Sequence, residues 1–267
     1  MFEHIVLGAI QGITEWIPIS SKACVIAAKV HLFHSQDNLN ELINYALLLH
    51  LGTFFAAVIY FYKDISQILK SAFQPKDDGT GARKILVFLF LTTCLTALGQ
   101  LIVTRVSALT YAAPHAKTAL TSVIAALLMV AGFLQLKSTS TGRRQAADVK
   151  PVDGIILGLV QAMTTLPGLS RAGTTIAALI FRNFDKEQAL KLSFLMSLPV
   201  ILLGNIVKNH AAILSWGPQW AGVLSAFVVG ILSINAIMNF ARKINFGAFL
   251  IFIGSVLTIA ILTHALD

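Results

Sequence analysis

An arginine, a glutamate and several hydroxyls stand in stretches where the rest of the chain is apolar. Arg171 lies in Thr164-Thr-Leu-Pro-Gly-Leu-Ser-Arg-Ala-Gly-Thr-Thr-Ile176, and no other charged residue occurs between Gly154 and Phe181. A guanidinium keeps its proton, so at mid-membrane depth it is costly unless an anionic or polar group meets it. Pro167, Gly168 and Gly173 interrupt helical continuity, while Ser170, Thr174 and Thr175 supply hydroxyls. That combination predicts a polar loop with a helix starting just after it, an arrangement suited to cradling phosphate.

A second set of polar residues lies near the N-terminus. Gln11 and Glu15 are four apart, so on a helix they share a face and both can reach one ligand or metal. Glu15 suits a general base, a ligand for a divalent cation (Mg or Ca) accompanying a phosphate, or a structural counter-charge for Arg171 or Lys22. Ser20 and Ser21 follow Pro18 and precede a helical piece, where a hydroxyl either caps the first turn or, with the backbone amides, binds an anion. Arg171 would be the fork-shaped clamp on a phosphoryl group and Lys22 a second cation. Two cations, several hydroxyls and one acid suit a diphosphate. His50, in Leu-Leu-Leu-His-Leu-Gly, is either a buried neutral histidine or an acid/base or nucleophile facing these tips. Asn44, Asn205, Asn235 and Asn239 read as interhelical hydrogen-bonding residues. No His/Cys cluster has zinc spacing, and neither Gly-x-Gly-x-x-Gly nor a P-loop signature occurs.

The two polar stretches echo each other. Aligned without gaps, residues 6–28 match 156–178 at Leu7/Leu157, Gly8/Gly158, Gln11/Gln161, Thr14/Thr164, Ser20/Ser170, Ile26/Ile176, Ala27/Ala177 and Ala28/Ala178. A duplicated, broken apolar segment points to a site between two repeats at mid-bilayer depth. Six uncharged runs are long enough to span about 30 Å of hydrocarbon with their flanks: Leu42 to Tyr62, Ile85 to Val103, Ala119 to Leu136, Leu192 to Val207, Ala221 to Ala241 and Phe246 to Thr263. Regions 2–31 and 152–182 each split into two shorter apolar pieces around a Pro/Ser-rich centre, and read as re-entrant hairpins of half-helices. The expected fold is an all-α polytopic membrane protein: one integral membrane domain, 1–267, with six transmembrane helices and two re-entrant hairpins in inverted repeats, about 1–137 and 150–267.

Composition agrees. The 267 residues are 56% hydrophobic and 12% charged, with mean hydropathy +0.78, far from the roughly 25% charge of soluble domains. The net charge of +8 is scattered through short connections and forms no patch interleaved with aromatics, which argues against nucleic acid. Segments 63–84, 137–150, 182–191 and 242–243 hold 14 of the 20 Lys and Arg residues. Placing them in the cytoplasm puts both termini outside. Loops 74–83 and 138–148 read as cytoplasmic linkers and nothing more. Cys24 and Cys94 lie in apolar runs, so a disulfide framework is not expected. The N-terminal Met-Phe-Glu-His lacks a positive n-region and is not read as a signal peptide.

Gln-Gly-Ile-Thr-Glu-Trp-Ile-Pro-Ile-Ser-Ser at 11–21 and Pro-Gly-Leu-Ser-Arg-Ala-Gly-Thr-Thr at 167–175 resemble the two signature motifs of the undecaprenyl-diphosphate phosphatases, also called bacitracin-resistance proteins. The resemblance runs along essentially the whole chain. It implies interlocked inverted repeats and a hydrolase that converts a polyprenyl diphosphate lipid to its monophosphate at the outer face of the bacterial plasma (inner) membrane, among membrane lipids, recycling a carrier for cell-wall polymers. It leaves room for a homodimer. Matched positions are Gln11 and Glu15 as acid/base or metal-binding pair, Ser20 and Ser21 as phosphate-binding or nucleophilic hydroxyls, and Ser170, Arg171, Gly173, Thr174 and Thr175 as the phosphate cradle.

Two positions depart from that pattern. Where the family has a histidine shortly after the Ser-Ser pair, this chain reads Lys22-Ala23-Cys24, and a serine of the second motif is Ala172. Three outcomes follow. Cys24 could act as a thiolate nucleophile; His50 could stand in, or Ser21 could react with Glu15 as base; or catalysis is lost and the fold serves as a polyprenyl-phosphate transporter.

Overall fold

The computed structural model describes residues 1–17, 19–73, 79–110, 142–165, 170–240 and 245–265, with isolated positions between 122 and 136. Helices run Phe2–Thr14 (α1), Ser21–His31 (α2), Leu39–Tyr60 (α3), Tyr62–Ser71 (α4), Ala82–Thr110 (α5), Pro151–Met163 (α6), Arg171–Phe181 (α7), Lys186–Leu214 (α8), Gln219–Phe240 (α9) and Phe246–Ala265 (α10), and a 3-10 turn occupies Ala146–Asp148. The chain is an all-α polytopic membrane protein. Among the described residues four helices, Leu39–Tyr60, Ala82–Val103, Lys186–Leu214 and Gln219–Asn239, are long and apolar enough to cross a bilayer. The last expected span forms α10. The expected span Ala119 to Leu136 falls mostly outside the described residues, as do Pro18 and 166–169.

The two broken regions form as paired short helices. α1 and α6 each have 13 residues, α2 and α7 each 11. At 1.5 Å per residue these are roughly 16–20 Å long, short of the hydrocarbon thickness. Both second halves start from a capping serine. Ser20 Oγ accepts the amide of Ala23 and Ser170 Oγ that of Gly173, with nearly the same backbone angles. Residues 150 apart therefore hold the same local position, and Ser21 and Arg171 are the first helical residues after those caps.

The halves of the chain interlock. α1 lies along α9 and α6 along α5, so each hairpin's first helix packs on a long helix from the other half. Small residues make this possible. A Cβ on Gly8 would fall 2.1 Å from the carbonyl oxygen of Gly222. Ser233 donates to the Gly12 carbonyl (2.5 Å), Trp16 Nε1 to that of Gly230 (3.0 Å), and Thr96 to that of Gly158 (3.2 Å). These bonds fix helix depth as well as direction. Trp16, Phe88, Phe184 and Phe194 are fully buried, and Trp16 meets Phe194 edge-on at 5.0 Å. The core thus gathers next to the residue that follows α1.

Three features differ from the sequence reading. α8 starts at Lys186 rather than Leu192 because Asp185 caps it, accepting the Glu187 amide, and counting uncharged residues misses a charged first turn. α4 occupies part of a segment read only as a connection; its face is amphipathic, with Ile68 buried and Lys63 and Lys70 exposed. The described part of the 138–148 linker is docked. Arg144 exchanges backbone bonds with Asn183 (3.0 Å) and Asp185 (2.9 Å), and its guanidinium stacks 4.1 Å over Phe184. The fully buried Asp153 binds both Arg144 and Arg182 (2.8 Å to Nε). A buried carboxylate with two guanidiniums ties this segment to both helices of the second hairpin.

Candidate active site

Glu15, directly after α1, is the centre of the site and is 3% exposed. One carboxylate oxygen receives the Arg171 guanidinium from the other hairpin. The other receives Gln11 Nε2 at 2.7 Å and Ser21 Oγ at 2.9 Å, and lies 3.2 Å from His50 Nε2. The four-residue spacing on α1 delivers Gln11, the start of α2 delivers Ser21, α3 delivers His50 and the start of α7 delivers Arg171. A second link joins the tips where Ser170 Oγ donates to the Ile19 carbonyl at 3.1 Å. Residues 156 positions apart therefore share one ion pair, and the Arg171 side chain is 19% exposed.

His50 is oriented from behind. Its Nδ1 lies 2.6 Å from the carbonyl oxygen of Ala46, one turn earlier on α3. A carbonyl only accepts, so Nδ1 carries a proton and Nε2 is the nitrogen presented to the site, 3.5 Å from Ser21 Oγ. Ser21, Glu15 and His50 thus form a hydroxyl, a carboxylate and an imidazole within proton-transfer reach.

The residues expected to form a phosphate cradle occupy the N-cap and first turns of α7. Gly173 donates its amide to Ser170 Oγ (3.2 Å), and Thr174 Oγ1 donates to the Ser170 carbonyl (2.8 Å). Thr175 Oγ1 donates to the Arg171 carbonyl (2.8 Å) and shares a 2.7 Å hydrogen bond with Ser193 of α8. Thr175 therefore holds the turn that carries Arg171. Ser193 was missed because a lone serine in an apolar run carries no local signal. Ser20 acts as a cap. Lys22 and Cys24 sit on α2 beyond Ser21, and neither side chain has a hydrogen bond or ion pair among the described residues. His50 rather than Cys24 is what the fold places beside Ser21 and Glu15. Asn205 and Asn209 bond each other (2.9 Å) and the carbonyls of Leu47 and Asn44, binding α8 to α3 as an interhelical ladder.

Two polar atoms at the site lack partners among the described residues. Gln11 Oε1 and Arg171 Nη1 are buried without a hydrogen bond. Because the Gln11 amide must point its nitrogen at the carboxylate, Oε1 remains as a free hard oxygen next to Glu15. One amide oxygen and one carboxylate, completed by substrate phosphates, fit the preferences of Mg or Ca. No group of three or more His, Cys, Asp or Glu residues among the described residues could hold a metal alone.

Undecaprenyl-diphosphatases are similar to the chain along its length: that of Methanococcoides burtonii is 32% identical, covering 96% of this chain and 97% of the relative. Those of Moorella thermoacetica (32%, covering 99% and 97%) and Haloarcula marismortui (32%, covering 91% of each) are comparable. With the model of the bacitracin resistance protein BacA family matching residues 4–259, which takes in both hairpins and every helix of the site, the chain belongs to that family.

Proposed function

We propose that the protein hydrolyses undecaprenyl or a similar polyprenyl diphosphate to the lipid monophosphate and inorganic phosphate. The observation that carries this is the meeting of Arg171 from one hairpin with Glu15 and Ser21 from the other. In this reading the terminal phosphoryl group displaces the guanidinium from Glu15, and the free Nη1 supplies a donor already desolvated for it. Ser21 Oγ attacks phosphorus as the bond to the lipid monophosphate breaks, and the hydroxyl proton passes to Glu15 Oε2, 2.9 Å away. Water then cleaves the phosphoserine, giving a proton to His50 Nε2 while Glu15 returns its proton to Ser21 Oγ as the P–O bond breaks, and the proton on His50 leaves with inorganic phosphate. Arg171 holds the equatorial oxygens throughout, the main electrostatic task in phosphoryl transfer. A divalent cation held by Gln11 Oε1 and Glu15 would neutralise the diphosphate when bound.

The matched serine caps and the crossed packing of α1 on α9 and α6 on α5 support two repeats, about 1–137 and 150–267, inserted in opposite senses. The excess of Lys and Arg on one side supports placement in the plasma membrane with both termini and the site opening outside. The test is phosphate release from undecaprenyl diphosphate by purified protein in detergent with Mg or Ca. Wild type turns over, EDTA stops it, and Ser21→Ala abolishes it; full turnover by Ser21→Ala would remove the serine mechanism.

A further inference from the structure

Away from the catalytic cluster, at the opposite, basic end of the second hairpin, a cavity of about 720 Å³ is lined by Arg83, Lys84, Val87, Arg144, Asp148, Val149, Lys150 and Pro151. It lies where α5 and α6 begin side by side. Its charges are unequal in kind. Arg144 is spent on Asp153 and on the carbonyls of Asp148 and Arg182, and Asp148 accepts the Gln145 amide at 2.8 Å. Arg83, Lys84 and Lys150 are exposed and have no ion-pair partner among the described residues. Three cations without ion-pair partners among the described residues therefore ring a cavity that holds a single carboxylate, leaving its lining net positive.

The surface next to it is apolar. Val87 and Phe90 on α5 and Val152, Ile155 and Leu159 on α6 are all 41–66% exposed, at spacings that put them in rows running from the cavity along the two helices. α5 is long and apolar enough to cross a bilayer, which sets the cavity at the level of lipid headgroups. We infer that this is a binding site for an anionic glycerophospholipid, its phosphate among Arg83, Lys84 and Lys150 and its acyl chains along the α5/α6 rows. Charge complementarity selects the headgroup, and the adjoining apolar rows select a lipid over a free ion. The site would hold the segment 142–150, and through the Arg144–Asp153–Arg182 cluster both helices of the second hairpin, at a fixed depth.

The experiment counts lipids bound to purified full-length protein by native mass spectrometry, titrating phosphatidylglycerol or phosphatidylcholine with identical acyl chains. Wild type retains phosphatidylglycerol preferentially, and Arg83→Ala/Lys84→Ala/Lys150→Ala lowers that retention about tenfold or more. Lys63→Ala/Lys70→Ala, which removes two exposed cations on α4, leaves it unchanged. Equal retention of the two lipids, undiminished retention by the triple variant, or equal loss in the α4 variant would overturn the assignment. So would displacement of the lipid by millimolar inorganic phosphate, which would make this a free-anion site. Phosphate release in detergent is scored separately, so failure of the lipid site and failure of the proposed hydrolysis are read from different measurements.

Discussion

Replacing Glu15 with Gln and Arg171 with Met, singly and together, separates what the ion pair does for the fold from what it does for chemistry. Glu15 is nearly inaccessible, but without Arg171 it would keep Gln11, Ser21 and His50 around it. Arg171 would keep much less. Its ion pair is to Glu15, Nη1 is already unpartnered, and its side chain is 19% exposed. Glu15→Gln therefore leaves a largely buried cation uncompensated, at a cost of about 3–5 kcal/mol. Arg171→Met should cost about 1–3 kcal/mol, because Gln11 and Ser21 still donate to one carboxylate oxygen while the other loses its donor. The double variant removes both charges and should lose about 2–3 kcal/mol less than the sum of the two single losses. Activity should not follow. An arginine that stabilises transferring phosphoryl charge is worth about 10³–10⁵ in kcat, so the double variant stays inactive although folded. The assays are the unfolding midpoint in detergent and phosphate release per folded protein. Additive stability losses, or turnover by Arg171→Met within tenfold of wild type, would refute the reasoning.

Three further outcomes follow from individual contacts. His50→Ala should lower kcat by about 10²–10⁴, the usual range for a positioned acid/base, and in a rapid-quench experiment should increase the phosphoserine that accumulates on Ser21; an unchanged rate removes His50 from the mechanism. Cys24→Ser should leave phosphate release within twofold of wild type, because the thiol has no partner at the site; a large loss would restore the thiolate nucleophile. Gly52→Ala should lower the unfolding midpoint by the equivalent of about 1–3 kcal/mol, since the added Cβ would lie 2.2 Å from the Val223 carbonyl oxygen on α9; an unshifted midpoint would contradict that close approach.

The site was legible where it broke the apolar pattern. Arg171 had to be met by an anion because hydrocarbon tolerates no lone guanidinium, and Glu15 was the carboxylate available deep in the echoing segment. The 150-residue repeat gave the paired serine caps for the same reason, since a helix starting inside a membrane needs its first amides satisfied. His50 could be named but not placed. Its role depends on the Ala46 carbonyl and on how α3 lies against both helices of the first hairpin, which no local spacing encodes. Arg144 was hidden among loop cations because its partners, Asp153 and Arg182, are 9 and 38 positions away. Ser193 is another such case, visible only once α7 lies on α8. Packing between distant helices, rather than pattern within any one of them, decided each of these.

The most direct test of the account is an experimental structure of the protein with a non-hydrolysable polyprenyl diphosphonate. The account predicts the terminal phosphonate between the hairpins, within hydrogen-bonding distance of both the Arg171 guanidinium and Ser21 Oγ. A headgroup that touches one hairpin alone, with the Arg171–Glu15 pair undisturbed, would contradict it.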